Sequence, residues 1–494
     1  MRKNLIYCII TMLSIGFWSC DDDENYDPAV AIKSVSIVPY NNTVDYLCTG
    51  NYNSSVLSNE NDKVAFDVNK EDLKKATMTA TTTLGLGSDI NAYYNGEVIG
   101  EKGVIVDATQ PFQVEVRRDN QSRVYTVKVE QATSLPENEH LVIKSTNMRK
   151  VGLDPNTYSY DVVSFKDKLY CFTSATNGVT ADYRIFSSED GVVWNEVNYG
   201  PDALQAVGGS GTKLVVYNNR LYALGGARIK GTDKWGNAPE TNWGMANIAY
   251  WRSFSTDDGK TFQCDTIGTK GEWGTSWDGS PIWNNFKPYA VTNVDALAFN
   301  GKMYLKGGSY YGFGMLQNYT QYLECEDGTN WKKVTINDGV NINRRAQDAF
   351  FVFKGKMWSI GGFTNWIGSN NVQSSIYSST DGKNWILEAE SAAFGKMWGM
   401  KVIANENVAY MIGGEYLDEN GMHVVSDKVY RSTDGINWEA VNTGAKYVAR
   451  RCPSVTIFNG YGYIFGGYST ISGSYGAAGD NDIPLFDTYM LELK

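Results

Sequence analysis

Two arginines stand at matching places in this sequence. Arg345 and Arg450 each lie sixteen residues before a Gly-Gly pair, Gly361-Gly362 and Gly466-Gly467, and Met397, with Trp398 next to it, holds the same place before Gly413-Gly414. A guanidinium presents a planar fork of N–H donors that fits a carboxylate or several sugar hydroxyls. Two such forks flanking an aromatic ring would suit an acidic or polyhydroxylated ligand, with Arg344, Arg451, Trp366 and Tyr416 as further candidates for the same site. The competing use is internal. Asp348, Glu415 and Asp295 are available as ion-pair partners between neighbouring repeats, and the sequence leaves both uses open.

Catalytic constellations are sparse by comparison. The chain has two histidines, His140 and His423, nearly three hundred residues apart, which is too little for a His-rich metal site or a His-based triad. A glycosidase needs two carboxyl groups about 5 to 9.5 Å apart, or a tyrosine with a carboxylate base. Asp161, Asp295, Asp348, Glu415 and Tyr416 are the side chains that could serve, and no catalytic residue is assigned among them. No HExxH, Gly-rich phosphate loop or CxxC pair occurs, so no metal and no cofactor is expected.

What must position these residues is a repeat. A strand ending in Gly-Gly recurs at 221–226, 303–308, 357–362, 409–414 and 462–467, with a degenerate first copy at 168–173. Successive Gly-Gly pairs are 82, 54, 52 and 53 residues apart, a period of about fifty with one large insertion. Each of the first five copies is followed by a unit of the form Ser-x-Asp-Gly running to an aromatic: Ser188 to Trp194, Ser255 to Phe262, Cys325 to Trp331, Ser379 to Trp385 and Ser432 to Trp438. Four short strands per fifty residues, six times over, is the sequence form of a β-propeller. The sixth copy runs out before a fourth strand, and Leu141 to Lys144 is a strand without a copy of its own, so it is expected to fill that outer place.

The Gly-Gly strand resembles a kelch repeat, and the Ser-x-Asp-Gly unit resembles the Asp-box of sialidase-type propellers. Only Ser255, Asp257, Gly259, Thr261 and Phe262 keep the full Asp-box spacing; the other four copies are one residue shorter. These turns are expected to staple the chain, the Asp accepting backbone N–H bonds and the Trp packing between sheets. In sialidase-like propellers arginines bind a substrate carboxylate, and in kelch proteins arginines at the channel mouth bind acidic peptides, which is what the resemblance implies for Arg345 and Arg450. The loops after each Gly-Gly and the links into each inner strand would share one face, the top, where long aromatic-rich segments at 227–250 and 268–294 also fall.

Ahead of the repeat, residues 31–133 alternate apolar and polar in short runs, most clearly 112–116 and 124–129 about an Asp119-Asn120 turn, with weaker runs at 31–38, 64–68, 77–83 and 104–106. They predict a small β-sandwich that resembles Ig-like or cadherin-like spacer modules. Residues 1–20 carry a basic start, an apolar run from Leu5 to Ile15 and Ser19-Cys20. They resemble a bacterial lipoprotein signal peptide with Cys20 as the lipidated residue, and 21–30 resemble an acidic tether of surface-exported lipoproteins. Lys+Arg 44 against Asp+Glu 55 gives a net charge of −11, which argues against nucleic acid or an anionic membrane face as partner. The sequence thus predicts an all-β lipoprotein of the outer membrane, displayed on the surface of a Gram-negative cell. An Ig-like β-sandwich (31–133) precedes a six-bladed kelch-like β-propeller (134–494) that binds a glycan or other small polar ligand at the channel mouth. Its rivals are a sugar-processing enzyme, either a sialidase-like hydrolase or an epimerase, and a platform for acidic protein segments.

Overall fold

The computed structural model describes residues 31–40, 42, 44–51, 54–66, 68–83, 90–133, 141–145, 157–176, 181–197, 213–224, 228–229, 248–249, 252–259, 263–266, 273–275, 281–283, 292–312, 315–318, 322–364, 370–390, 394–443, 447–472 and 484–494. Strand makes up 56 % and helix 2 %, so the chain is all-β. No helix among the described residues is long and apolar enough to cross a membrane. The chain divides into two compact units, one holding Asp45–Thr133 with the residues up to Tyr40, the other Asn41–Val44 and Ser134–Lys494.

The first unit has two sheets. One runs in the order Tyr46–Cys48, Ile32–Val38, Ala76–Thr82, Val104–Val106; the other runs Val56–Ser58, Gln121–Lys128, Phe112–Arg118, Ile90–Tyr94, Glu97–Val98. The alternation read from the sequence sets their faces, since Val35, Ile37, Val114, Val116, Tyr125 and Val127 are buried. Of the expected strand at 64–68, residues 64–66 and 68 are described and are not in a strand. Val64 makes a single bridge to Gln131, whose side-chain amide donates to the carbonyls of Ala65, Phe66 and Val68 and holds them out of any ladder.

The second unit is built around six antiparallel sheets, five of four strands and the third of five, Met315–Asn318 being added to its second strand, with smaller two- and three-stranded sheets beside them. Sheet one is Thr157–Phe165, Lys168–Thr176, Ala181–Ser188, Asn195–Glu196; sheet two is Lys213–Tyr217, Arg220–Leu224, Arg252–Thr256, Gln263–Thr266. Sheet three is Thr292–Phe299, Lys302–Gly312, Tyr322–Cys325, Trp331–Lys333; sheet four is Ala349–Phe353, Lys356–Ile360, Ser375–Ser379, Ile386–Glu390. Sheet five is Lys401–Ala404, Ala409–Ile412, Val429–Ser432, Glu439–Val441. Sheet six has three strands of its own, Ser454–Phe458, Tyr461–Tyr468 and Pro484–Leu491, and its fourth is Leu141–Ser145, with Leu141 opposite Leu491. The stray strand does take the outer place. First strands are successive neighbours from sheet one to sheet six, and the first strand of sheet six lies against that of sheet one. That last junction is sewn by Ser454 Oγ and Thr456 Oγ1, which accept from the N–H groups of Val162 (2.7 Å) and Ser164 (3.1 Å).

Sequence dictates why the sheets stack. Phe350-Phe351-Val352-Phe353 is apolar at every position, so a strand of period two is apolar on both faces. Phe351 and Phe353 pack with Met411, Tyr430 and Trp438 of sheet five, while Phe350 and Val352 pack with Leu297, Phe299 and Tyr304 of sheet three. The turns that reverse these strands need left-handed backbone at two consecutive residues, and Asn300-Gly301 supplies it at φ 45° and 72°.

The Asp turns are staples, and all five share one register. Asp381 Oδ1 accepts from Lys383 N (2.8 Å) and Asn384 N (2.7 Å), while Ser379 Oγ accepts from Gly382 N (2.9 Å). In the second copy the corresponding pair is Thr256 and Asp258, with Gly259 N donating to Thr256 Oγ1 (2.9 Å); the longer Asp-box spacing through Ser255 and Asp257 is not the one used. Partial burial pushes the Asp381 carboxyl up, but the N–H groups of Asn384 and Lys383, the Asn384 amide and the Ser379 hydroxyl outweigh it and hold its pKa down at about 2.

Each turn glycine also carries the contact between sheets. Gly382 has φ 74°, and a Cβ on it would lie 2.7 Å from the Tyr304 ring of sheet three; Gly259, Gly328, Gly435 and Gly191 stand likewise against Tyr170, Tyr222, Trp358 and Tyr463. Gly382→Ala is therefore expected to lower unfolding free energy by about 2–4 kcal/mol. Gly301→Ala, with a similar φ but nothing within 4 Å, is the control and should cost about 1 kcal/mol. Urea unfolding followed by tryptophan fluorescence measures both, and equal losses would mean that the ring contact contributes nothing.

Candidate functional site

The structure turns Arg345 and Arg450 inward; they are 1 % and 0 % exposed. Each guanidinium donates to the carbonyl of the first glycine of its own Gly-Gly pair, Gly361 at 3.2 Å and Gly466 at 2.8 Å. The left-handed glycines end the second strand at Gly361 and shift its register at Gly466, leaving a carbonyl outside the ladder in each, and a buried carbonyl needs a donor. Arg345 further binds Ser375 O and Oγ (3.3 and 2.7 Å) and Asn341 Oδ1 (3.0 Å), with Tyr377 4.9 Å from its guanidinium. Arg450 forks onto both oxygens of Asp487 at 2.8 Å, between the rings of Tyr447 and Tyr489. Burial works against the charge on both. It wins at Arg345, whose pKa is lowered, and loses at Arg450, where the Asp487 carboxylate raises it. Internal fastening is what both side chains do here, and the acid that takes Arg450 is Asp487 rather than Asp348, Glu415 or Asp295.

Those three acids serve elsewhere. Asp348 is fully buried against Lys306 and accepts from Ser359 Oγ (2.6 Å). Asp295 belongs to a belt of equivalent positions, each opposite the last residue of the neighbouring second strand before its bend: Asp161, Lys213, Asp295, Ala349, Lys401 and Ser454. Lys213 Nζ reaches Asp161 (3.1 Å), Ser454 Oγ donates to the same carboxylate (2.7 Å), and Lys401 Nζ passes the small Ala349 of sheet four to reach Asp295 at 2.7 Å. Burial pushes the Asp295 carboxyl up, and Lys401, Lys306 and Lys213 outweigh it and lower its pKa; burial pushes Lys401 down, and Asp295 more than reverses that. The belt is two carboxylates matched to two ammonium groups.

A second cluster lies over sheet five, at the end where first strands begin. Met397–Trp398 pairs with Glu415–Leu417, which pairs with His423–Val425, so Trp398, Glu415 and His423 are drawn into one small sheet. Trp398 is 0 % exposed, packed among Ala346, Phe363 and Val372, with its Nε1–H directed to Ser472 Oγ at 3.3 Å. A ring so enclosed offers no face to a sugar. Glu415 is buried, accepts from Ser472 N at 3.0 and 3.2 Å and from His423 Nδ1 at 2.6 Å, and forms an ion pair with Arg451 at 3.4 Å. Arg451 also donates to Thr470 O (2.8 Å) and lies over the Tyr468 ring. Both Glu415 oxygens are thus acceptors, which puts the histidine proton on Nδ1. His423 itself is partly exposed, and its ring meets Trp398 edge-on at 5.4 Å.

Of the remaining expected site residues, Tyr416 is half-buried and packs towards the core of sheets four and five, and Arg344 is exposed on a 3-10 turn, Ile342–Arg344. Trp366 and Cys20 lie outside the described residues. The links entering sheets four, five and six are tied by backbone bonds, Gly399 N to Gln347 O (2.7 Å) and Cys452 N to Gly399 O (2.6 Å). Lys213, Lys401, Ser454, Ser472 and His423 escaped the sequence reading. Four belt members had a usable signal, because Lys213, Asp295, Lys401 and Ser454 all lie twelve residues before their Gly-Gly pairs.

Comparison with family models and with curated proteins finds no match for the chain.

Two outcomes follow from these contacts. Arg450→Ala strands the Asp487 carboxylate and should cost about 3–5 kcal/mol in urea unfolding. The Asp295–Lys401 pair has a lowered acid and a raised base. Its contribution is present between about pH 4 and pH 10, lost as pH falls through the Asp295 value or rises through that of Lys401. Lys401→Met should flatten the acid limb of the stability–pH curve, and an unchanged limb would remove Asp295 from acid unfolding.

Proposed function

We propose that this chain is a cell-surface lipoprotein in which an Ig-like β-sandwich carries a six-bladed kelch-like β-propeller that binds a glycan. The propeller reading is supported by the neighbour order of the six first strands, which returns to its start, and by the strand at 141–145 that completes the sixth sheet. The observation that carries the binding reading is the small sheet over sheet five. It raises a partly exposed imidazole above a frame in which Arg450 is paired with Asp487, Lys401 with Asp295 and Lys306 with Asp348. A matched frame stays rigid, and a polar group held on rigid elements is suited to recognition rather than to packing.

The lipid anchor rests on Ser19-Cys20 behind the apolar run. Expressed in a Gram-negative host, the full chain should fractionate with membranes, and Cys20→Ala should move it to the soluble fraction; co-fractionation of both would sink the anchor. A glycan array probed with residues 21–494 tests the binding reading, which requires a defined glycan class to be retained. A blank array would sink it.

A further inference from the structure

Glu415 accepts from Ser472 N with both oxygens, so in the neutral imidazole the His423 proton stands on Nδ1 and the lone pair on Nε2. Among the described residues Nε2 has no hydrogen-bond partner, and the ring is partly exposed. Its orientation is fixed from two sides, by the 2.6 Å bond to Glu415 and by the edge of the buried Trp398. A lone pair locked in place and left open is a built acceptor.

The surroundings restrict what it accepts from. The hairpin turn leading to His423 is Asp418-Glu419-Asn420-Gly421-Met422, closed by Asp418 Oδ1 accepting from Asn420 N (2.9 Å) and Met422 N (2.8 Å). The turn thus carries two acidic residues, Asp418 and Glu419, and Met422, which is 64 % exposed, immediately before His423 in the chain. The nearby buried arginines, Arg345, Arg450 and Arg451, spend their donors on internal acceptors. An anionic ligand would meet like charge there without a buried cation to offset its desolvation. A neutral sugar suits the site, donating a hydroxyl hydrogen to the nitrogen without bringing a charge to the acidic turn.

We infer that His423 Nε2, oriented by Glu415, is the hydrogen-bond acceptor of a binding site for uncharged saccharides. The site rests on the glycan-binding reading and narrows it. His423 acts on the ligand directly, and Glu415 is a positioning residue.

Diethyl pyrocarbonate acylates an open, unprotonated imidazole nitrogen, and with only two histidines in the chain peptide mass mapping separates His423 from His140. Residues 21–494 treated at about pH 8 should be modified at His423. On an array of neutral and sialylated glycans the same protein should retain neutral ones, and saturating neutral glycan should protect His423. His423→Ala, with an unchanged melting temperature, should weaken that binding at least about tenfold. An unreactive His423 overturns the open acceptor. Neutral-glycan binding that survives His423→Ala, or binding confined to sialylated glycans, overturns the site while leaving glycan binding standing. Retention of no glycan overturns both.

Discussion

A sheet that is apolar on both faces cannot be stable alone, and among the described residues the surface that covers it is another copy of itself. Phe351 and Phe353 need sheet five as much as Phe350 and Val352 need sheet three. The same demand repeats from sheet one to sheet six, where Ile403, Tyr410 and Ile412 meet Leu141, Ile464 and Leu491. Covering apolar area contributes about 25 cal/mol per Å², but area has no direction. Direction comes from the turn glycines. Each stands where a side chain would strike the aromatic ring of the sheet before it, so the two copies fit at one spacing. At the junction of sheets five and six, which has no such glycine, the Tyr410 hydroxyl instead donates to the carbonyl of Lys494 at 2.6 Å.

The buried charges follow from that stacking. Once second strands bend at Gly-Gly, their last carbonyls fall between sheets, beyond the reach of water, and something must donate to them. Arginine can do so from a distance with several hydrogens at once, and Arg345 and Arg450 answer the same carbonyl in two copies. Their remaining partners differ because the third strands differ: Ser375 faces one and Asp487 the other. Along the first strands, six side chains hold equivalent positions. Charges there must cancel, since a lone buried carboxylate would cost several kcal/mol. Asp161 with Lys213 and Asp295 with Lys401 meet that condition.

What the sequence revealed, and what it hid, divides along the same line. The repeat, the stapling role of the Asp turns and the exchange of Leu141–Ser145 into the sixth sheet were legible, because each is written in residue type and spacing. The direction of Arg345 and Arg450 was not. Sixteen residues before Gly-Gly fixes a place at the sheet end, but whether a long side chain turns in or out depends on a carbonyl exposed only after the strands bend. The second Asp turn misled for a simpler reason: Asp257 and Asp258 are adjacent, and either satisfies a spacing, yet only Asp258 leaves Thr256 to meet Gly259 N. His423 was passed over because it was weighed as a metal ligand, for which a lone histidine is poor material. Its partner Glu415 is eight residues away across a hairpin, a separation without a helical or strand period to betray it.

The arrangement also explains why recognition would fall on the small sheet over sheet five rather than on the frame. A contact that holds two copies together cannot yield to a ligand without loosening the junction, so Arg345, Arg450, Asp295 and Lys401 are poor instruments of binding however suitable their chemistry. The small sheet escapes this restriction in part. Glu415 and Trp398 are anchored by Ser472 and Arg451, while His423 and Met422 stand on the hairpin that follows Glu415. Rigidity is supplied from beneath and the open nitrogen sits above it, which is the division of labour that selective binding of a weakly polar ligand requires.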